Sequence, residues 1–330
     1  MRKLSKAILM AGLSLALLPV IAVSQQAKID EFAQMMAQKH QFDAQSIKQT
    51  LAKANKNQTI LDAIAKPWEA KPWYQYHPIF LTQKRLNKGV EFWQQHRHAL
   101  ERAQQKSGVP AEIIVAIIGV ETFYGNYKGK YSVLDALYTL GFHYPPRASF
   151  FSSELEQFFL LAREEGFDMS QLQGSYAGAM GWGQFISSSY RHYAVDFDGD
   201  GVRDLFNNPE DAIGSVANYF KLHHWQANQP IAYKASIEDK NPAISGLVSK
   251  DLKYKHQWQQ LIDAGVAIDA STTIEPQQSV KLLEFELDNG AEYWVGLPNF
   301  YVITRYNHSP LYAMAVYQFS QQLKQAMAEK

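Results

Sequence analysis

The stretch Ile113-Ile114-Val115-Ala116-Ile117-Ile118-Gly119-Val120-Glu121-Thr122-Phe123-Tyr124-Gly125 decides how this chain is read. An unbroken apolar run precedes a single carboxylate. Pro110 suits the first position of a helix and Gly125 a left-handed cap at its end, so the spacing predicts a helix from about Pro110 to Tyr124. That helix is apolar on nearly every face and is expected to be the buried central element of the fold. Glu121 falls in its last turn. Low-dielectric surroundings disfavour the charged form of a carboxyl, so its pKa rises and it keeps a proton near neutral pH. A protonated carboxyl is what cleavage of a glycosidic bond requires of a general acid. The competing reading of a lone Glu in an apolar helix is a paired structural acid.

On the N-terminal side, residues 29–66 show short helical patterns separated by the polar caps Asp43 and Asn57, and the steps Pro67-Trp68 and Pro72-Trp73 interrupt helix. Thr82 is placed to cap one longer helix whose Leu86, Val90, Trp93 and Leu100 recur at helical spacing up to Gly108. On the C-terminal side, Ser149 is placed to cap a helix whose Phe150, Phe151, Leu155, Phe158, Phe159 and Leu161 read as core, with Gly166 beyond its end. Asn208-Pro209-Glu210-Asp211 is a helix start. Beyond about Gln226 the pattern changes: 281–287, 293–295 and 300–304 read as strands. Helical character returns over 310–327, in a closing helix expected to pack back on the N-terminal layer. The fold class is mainly α with a small β part (α+β).

The 330 residues are 46% hydrophobic, enough for a sizeable core. Arg2, Lys3 and Lys6, an apolar stretch over 7–22 and the small residues Ala22-Val23-Ser24 predict a cleaved signal peptide over 1–24 rather than a membrane anchor. Its removal takes three basic and no acidic residues, leaving 29 basic against 32 acidic, a net of −3. No nucleic-acid partner is expected. Cysteine is absent, which excludes disulfides, thiol catalysis and a Cys-rich zinc site.

Glycines 174, 178, 181 and 183 lie in Gly174-Ser175-Tyr176-Ala177-Gly178-Ala179-Met180-Gly181-Trp182-Gly183-Gln184-Phe185. They are too dense for regular helix and suit backbone that approaches a ligand closely. In Asp196-Phe197-Asp198-Gly199-Asp200-Gly201-Val202-Arg203-Asp204 the acids stand at loop positions 1, 3, 5 and 9 with glycine at 6, the pattern of a calcium loop. Asn207 stands at position 12 in place of the usual Glu, so the closing carboxylate must come from Glu210 or Asp211. The bland alternative is an acidic turn without metal. His223-His224 read as helix-end residues, since adjacent histidines face different ways. There is no Gly-x-Ser-x-Gly elbow and no His-Glu-x-x-His helix.

Val120-Glu121-Thr122, Ser132-Val133-Leu134-Asp135-Ala136-Leu137, residues 174–181, Asp211-Ala212-Ile213-Gly214-Ser215-Val216-Ala217-Asn218-Tyr219-Phe220 and Thr304-Arg305-Tyr306-Asn307, in that order, resemble the membrane-bound lytic murein transglycosylase B family. The resemblance spans most of the chain beyond residue 24. It implies a lysozyme-like core domain, 106–225, flanked by an α domain, 25–105 with the closing helix 310–328, and a β-containing subdomain, 226–305. It implies structural Ca2+ in an EF-hand-type loop held by Asp196, Asp198, Asp200, the Val202 carbonyl and Asp211, and no organic cofactor. It implies Glu121 as catalyst, Ser175 on the N-acetyl group of muramic acid, and Gln184, Tyr219, Tyr306 and Asn307 around the cleft, with Arg147 and Tyr76 as further substrate-binding candidates.

The implied partner is the peptidoglycan glycan strand; cell-wall synthesis proteins are candidate partners, and a monomer is expected. The membrane-bound members carry a lipidated cysteine that this chain lacks, so a soluble periplasmic form is expected. Ordinary glycosidases use two carboxylates, whereas the motifs supply one. The family's solution is that one Glu acts as acid and then as base, giving a 1,6-anhydro product without water. The alternatives are a lysozyme-like hydrolase and a peptidoglycan-binding protein that does not cut.

Overall fold

The computed structural model describes residues 25–66, 71–237, 242–249 and 251–330. The predicted leader over 1–24 and the Pro67-Trp68 step lie outside them. The chain divides into two units, 1–52 and 53–330. In the first, α1 (Gln25–His40) packs on α2 (Ala44–Leu51). Phe32, Met36, Ile47 and Leu51 are buried there, and the Asp43 carboxylate accepts from the N–H groups of Gln45 and Ser46, capping α2 as the sequence predicts.

The second unit begins with α3 (Gln58–Ile64), capped by Asn57, followed by α4 (Trp73–Phe80), α5 (Gln83–Gln95) and α6 (Arg97–Ser107). Thr82 caps α5, but the single long helix expected here is two, broken at His96. His96 accepts from Leu100 N–H and donates to Phe92 C=O, so it closes one helix and opens the next. The break redirects the apolar stripe. Val90 and Phe92 are buried on α5, which packs on the central and closing helices, while Leu100 and Ala103 are buried on α6, which turns to the helix over 209–222.

The central helix α7 spans Ala111–Thr122, and every residue from Ile113 to Val120 is buried. It ends two residues before the predicted limit. Phe123 and Tyr124 take left-handed backbone (φ 52° and 57°) ahead of Gly125 (φ 78°), and their N–H groups bond Gly119 and Ile118 C=O. The chain therefore turns sharply just past Glu121. Strand β1 (Tyr131–Ser132) leads into α8 (Val133–His143), and α9 (Ala148–Glu165) packs along α8. The N-cap of α9 is Arg147 rather than Ser149, and Phe150 is exposed, with the Arg147 guanidinium over its ring, 4.3 Å from the centroid. The other apolar residues of that stripe are core.

Strand β2 (Gln173–Gly174) pairs with β1, then come α10 (Ser187–Tyr193) and α11 (Pro209–Leu222), the latter capped by Asn208 as predicted. A five-stranded antiparallel sheet follows, in the order β4 (His256–Gln257), β6 (Ser279–Glu286), β7 (Ala291–Gly296), β3 (Ala232–Ile237), β5 (Val266–Ile268). The short helices α12 (Pro242–Leu247) and α13 (Trp258–Asp263) cover one face, where Ile244, Trp258, Leu261, Val280, Leu282 and Val295 form a separate core.

Residues 300–304, expected as a strand, belong to helix α14 (Pro298–Tyr306). Their β-branched and aromatic composition suggested a strand, but Pro298 at N1 starts a helix whose Phe300, Val302, Ile303 and Thr304 are all buried, so packing overrides propensity. The closing helix α15 (Pro310–Ala328) packs on α7, α5 and α4. Among the described residues no helix is long and apolar enough to cross a membrane.

Candidate active site

Glu121 is half-buried at the C-terminal turn of α7, where its neighbours on the helix are buried. Burial pushes its carboxyl up to about 7, and the one opposing influence is a hydrogen bond from Tyr312. The Tyr312 hydroxyl donates to Oε1 at 2.6 Å. Tyr312 is buried in the first turn of α15, positioned by Ser309 as N-cap and Pro310 at N1. Its ring lies parallel to that of Tyr306, with centroids 6.5 Å apart and planes 6° from parallel. Burial and the nearby Glu121 raise both phenols well above their ordinary range, so both act as neutral hydrogen-bond donors.

The Gly-rich segment forms the wall beside the acid. Met180 and Phe185 exchange backbone hydrogen bonds around a tight turn in which Gly181 (φ 69°) and Gln184 (φ 51°) are left-handed. A β-carbon at Gly181 would stand 2.3 Å from the Leu205 carbonyl oxygen, so only glycine fits there. The turn is tied to the helix end: Thr122 Oγ1 donates to Ile118 C=O and Trp182 C=O and accepts from Gly125 N–H. Tyr306 O–H donates to Gly183 C=O at 2.7 Å. Thus α7, α14, α15 and the loop are locked together within a few residues of Glu121.

The candidates named from sequence fall into place unevenly. Tyr219 on α11 packs its ring 4.8 Å from Tyr306 and donates its hydroxyl to Arg305 C=O. Gln184 Nε2 donates to Gly181 and Lys128 carbonyls. The Ser175 hydroxyl oxygen accepts from the N–H groups of Ala177 and Ala179, which fixes the loop and leaves its hydrogen to point elsewhere. Asn307 is the half-buried C-cap residue of α14, next to Tyr306. Tyr76, buried on α4, is close enough to Tyr312 to raise its pKa. Arg147, the N-cap residue of α9, is exposed against Phe150 and Phe151, with no contact to Glu121 among the described residues.

Sequence reasoning missed Tyr312, whose partner is 191 positions away. The Ser309-Pro310 helix start placed it in a first turn, but nothing local pointed at the acid. It also missed Arg85, whose guanidinium donates to Gly119, Ile79 and Phe80 carbonyls and so braces the last turn of α7 against α4.

In the acidic loop, Asp196, Asp198 and Asp211 each bring a carboxylate oxygen within 4.8 Å of the others. Asp211 is fully buried; its oxygens accept from Phe197 and Asp204 N–H. Burial, then its neighbours Asp198 and Asp196, raises its pKa. Asp200 accepts from Val202 N–H, Asp204 caps its own turn, and Glu210 pairs with Arg102 at 2.9 Å. Three hard oxygen donors held at one point suit a hard divalent cation such as calcium.

A transglycosylase SLT domain matches residues 24–321. The chain is 46% identical over 301 residues to the membrane-bound lytic murein transglycosylase B of Escherichia coli K12, covering 88% of this chain and 81% of that protein. The Escherichia coli lytic transglycosylase Slt35, solved in complex with calcium, superposes with a TM-score of 0.83 at 45% identity, over 91% of this chain and 93% of that one. SltB3 from Pseudomonas aeruginosa, solved with NAG-NAM-pentapeptide, superposes with a TM-score of 0.81 at 29% identity, over 92% and 80%. With a fold that is mainly helical with a small sheet, of the lysozyme-like kind, the chain belongs to the transglycosylase SLT domain family, among the lytic murein transglycosylases.

Proposed function

We propose that this chain cleaves the β-1,4 bond between N-acetylmuramic acid and N-acetylglucosamine in peptidoglycan without water, leaving 1,6-anhydromuramic ends. The observation that carries the reading is a single carboxyl, raised to about 7, at the mouth of a wall of tyrosines. The sequence motifs supply one carboxylate, whereas a hydrolase of the two-carboxylate kind needs a second.

The geometry suits one group doing both proton transfers. Oε1 is occupied by the Tyr312 hydroxyl, so the proton rides on Oε2, which has no protein hydrogen-bond partner among the described residues. Oε2–H protonates the glycosidic oxygen as the C1–O4 bond breaks, and the substrate's acetamido oxygen closes on C1. The carboxylate left behind is the conjugate base, held by Tyr312, and it takes the proton of the 6-hydroxyl as O6 attacks C1 and expels the acetamido oxygen. Glu121 ends as it began. Tyr312 stabilises the anionic stage, since a hydrogen bond to a charged acceptor is about twice as strong as one to a neutral acceptor.

Tyr219, Tyr306, Asn307 and Tyr76 line this site in our reading, with Gln184 shaping the loop and the Ser175 hydroxyl offering its hydrogen to the N-acetyl carbonyl. Asp196, Asp198 and Asp211, joined by Asp200 and the Val202 carbonyl, would hold calcium in a structural role, offsetting the charge of crowded carboxylates and pinning the loop to α11. Glu210 is committed to Arg102 and is not a ligand in this scheme. We place the protein in the periplasm after removal of the leader. The three-part division into an α domain, a catalytic core and a β-containing subdomain belongs to the same proposal.

Digestion of purified sacculi followed by mass spectrometry tests the reading. Anhydro ends support it; reducing ends heavier by one water replace it with hydrolysis, and intact sacculi refute both.

A further inference from the structure

We propose that Arg85 is a positioning residue for the reaction, setting Glu121 against Tyr312 by tying the last turn of α7 to the end of α4. This rests on the role proposed for Glu121 above. Arg85 stands in the first turn of α5, where the Thr82 cap accepts its backbone N–H. Its Nε donates to Gly119 C=O at 3.1 Å, two residues before the acid, and its Nη1 donates to Ile79 and Phe80 C=O at 2.6 and 2.7 Å. The guanidinium carbon also lies 5.1 Å from the ring centroid of Phe123, two residues after the acid, and 5.4 Å from that of Phe80.

These contacts reach both ends of the Tyr312–Glu121 hydrogen bond. Glu121 is held through Gly119 and Phe123. Tyr312 is approached from α4: the Phe80 ring packs 5.1 Å from that of Tyr76, which stands close enough to Tyr312 to raise its pKa. The titratable groups that feel the Glu121 charge are Tyr312 and Tyr306, with Tyr219 packed beside the latter. A neutral donor would be enough to cap stray helix carbonyls. Arg85 is instead a half-buried cation that pairs with no carboxylate among the described residues; burial lowers its pKa, opposed by the phenols Tyr124 and Tyr127. Charged donors make hydrogen bonds about twice as strong as neutral ones, and the planar fork fixes their directions. Misplacing a reacting group by about 1 Å costs about a hundredfold in rate, so a stiff brace at this turn governs turnover.

The test measures kcat, KM and the pH profile on purified glycan strands. Arg85→Met is expected to lower kcat by about tenfold with KM within about threefold of the wild type. The Tyr312 bond lowers the Glu121 pKa, so loosening it should move the alkaline limb of the profile upward. Arg85→Lys keeps the charge but loses the fork, and should follow the Met variant rather than the wild type. In a Tyr312→Phe background Arg85→Met should change kcat by less than about threefold, since the bond it acts through is gone. A folded variant with wild-type kcat or an unmoved limb, or effects that multiply in the double variant, overturns the proposal. Arg85→Lys carries the same reading if the Met variant does not fold. Infrared titration of the Glu121 carboxyl, recognised by its loss in Glu121→Gln, follows the shift without turnover. An upward shift in the Arg85 variants supports the proposal, and an unmoved carboxyl overturns it. Hydrolysed or uncut strands together with a shifted carboxyl refute the proposed reaction and leave the role of Arg85 standing.

Discussion

As the proposed proton donor, Glu121 must combine two demands that ordinarily conflict: a proton retained near neutrality, and exposure enough to deliver it. The end of an apolar helix supplies both, because desolvation raises the pKa while Glu121, only half-buried, sits where the helix gives way to the left-handed turn at Phe123. Glu121→Gln is expected to lower turnover of sacculi by about a thousandfold or more with the fold retained, measured by product release and circular dichroism. The rate should fall as pH rises through about 7, where the acid loses its proton. Tyr312→Phe removes a bond that lowers that pKa, so the alkaline limb should move upward and the rate fall by about tenfold to a hundredfold. Stability carries a trace of the same shift. A folded pKa of about 7 against an ordinary 4.5 contributes stability that is complete below 4.5 and lost as pH rises through 7. The Gln variant should therefore be the more stable protein above neutrality, a gain read from melting temperatures across pH.

At the scale of elements, α7 is held by close approach as well as by the polar bonds at its last turn. The Tyr124 hydroxyl inserts between α7 and α5, where a β-carbon would stand 2.4 Å from it at Gly119 and 2.2 Å at Gly89. That hydroxyl is buried with no hydrogen-bond partner among the described residues. Gly119→Ala is expected to destabilise by about 1–3 kcal/mol through overpacking, despite its better helix propensity. Tyr124→Phe removes an unsatisfied polar atom and should stabilise by about 1 kcal/mol, but in the double variant it should recover only part of the alanine's cost, since the ring carbon Cζ would still stand 2.7 Å from the new β-carbon. Denaturant midpoints with unchanged m-values check all three. The break at His96 and the helix over 298–306 carry the same lesson. Local pattern predicted one long helix and a strand, and the layout of neighbouring apolar faces decided otherwise.

Across the whole molecule, the acidic loop offers a handle on stability that is separate from catalysis. A chelator should lower the melting temperature and added calcium restore it. Asp211→Asn should reduce that response sharply while Glu210→Gln leaves it nearly intact, since Asp211 faces Asp196 and Asp198 whereas Glu210 faces Arg102. Equal effects from both substitutions would reject the assignment. The apolar run with its terminal Glu, the glycine spacing, the caps at Asp43, Asn57 and Asn208 and the acidic loop pattern were readable without coordinates, because each depends on neighbours a few positions away. From the sequence came the helical class, the small sheet, the acid and the family. The partner of that acid was not readable: Tyr312 lies 191 residues on, and only the packing of α15 on α7 brings its hydroxyl to Oε1. Tertiary structure likewise turned Asp211 to its two aspartates and Glu210 to Arg102, and set the Arg147 guanidinium over the Phe150 ring. Adjacent residues on a helix point in different directions, so which of them meets a distant partner is settled by packing rather than by local pattern.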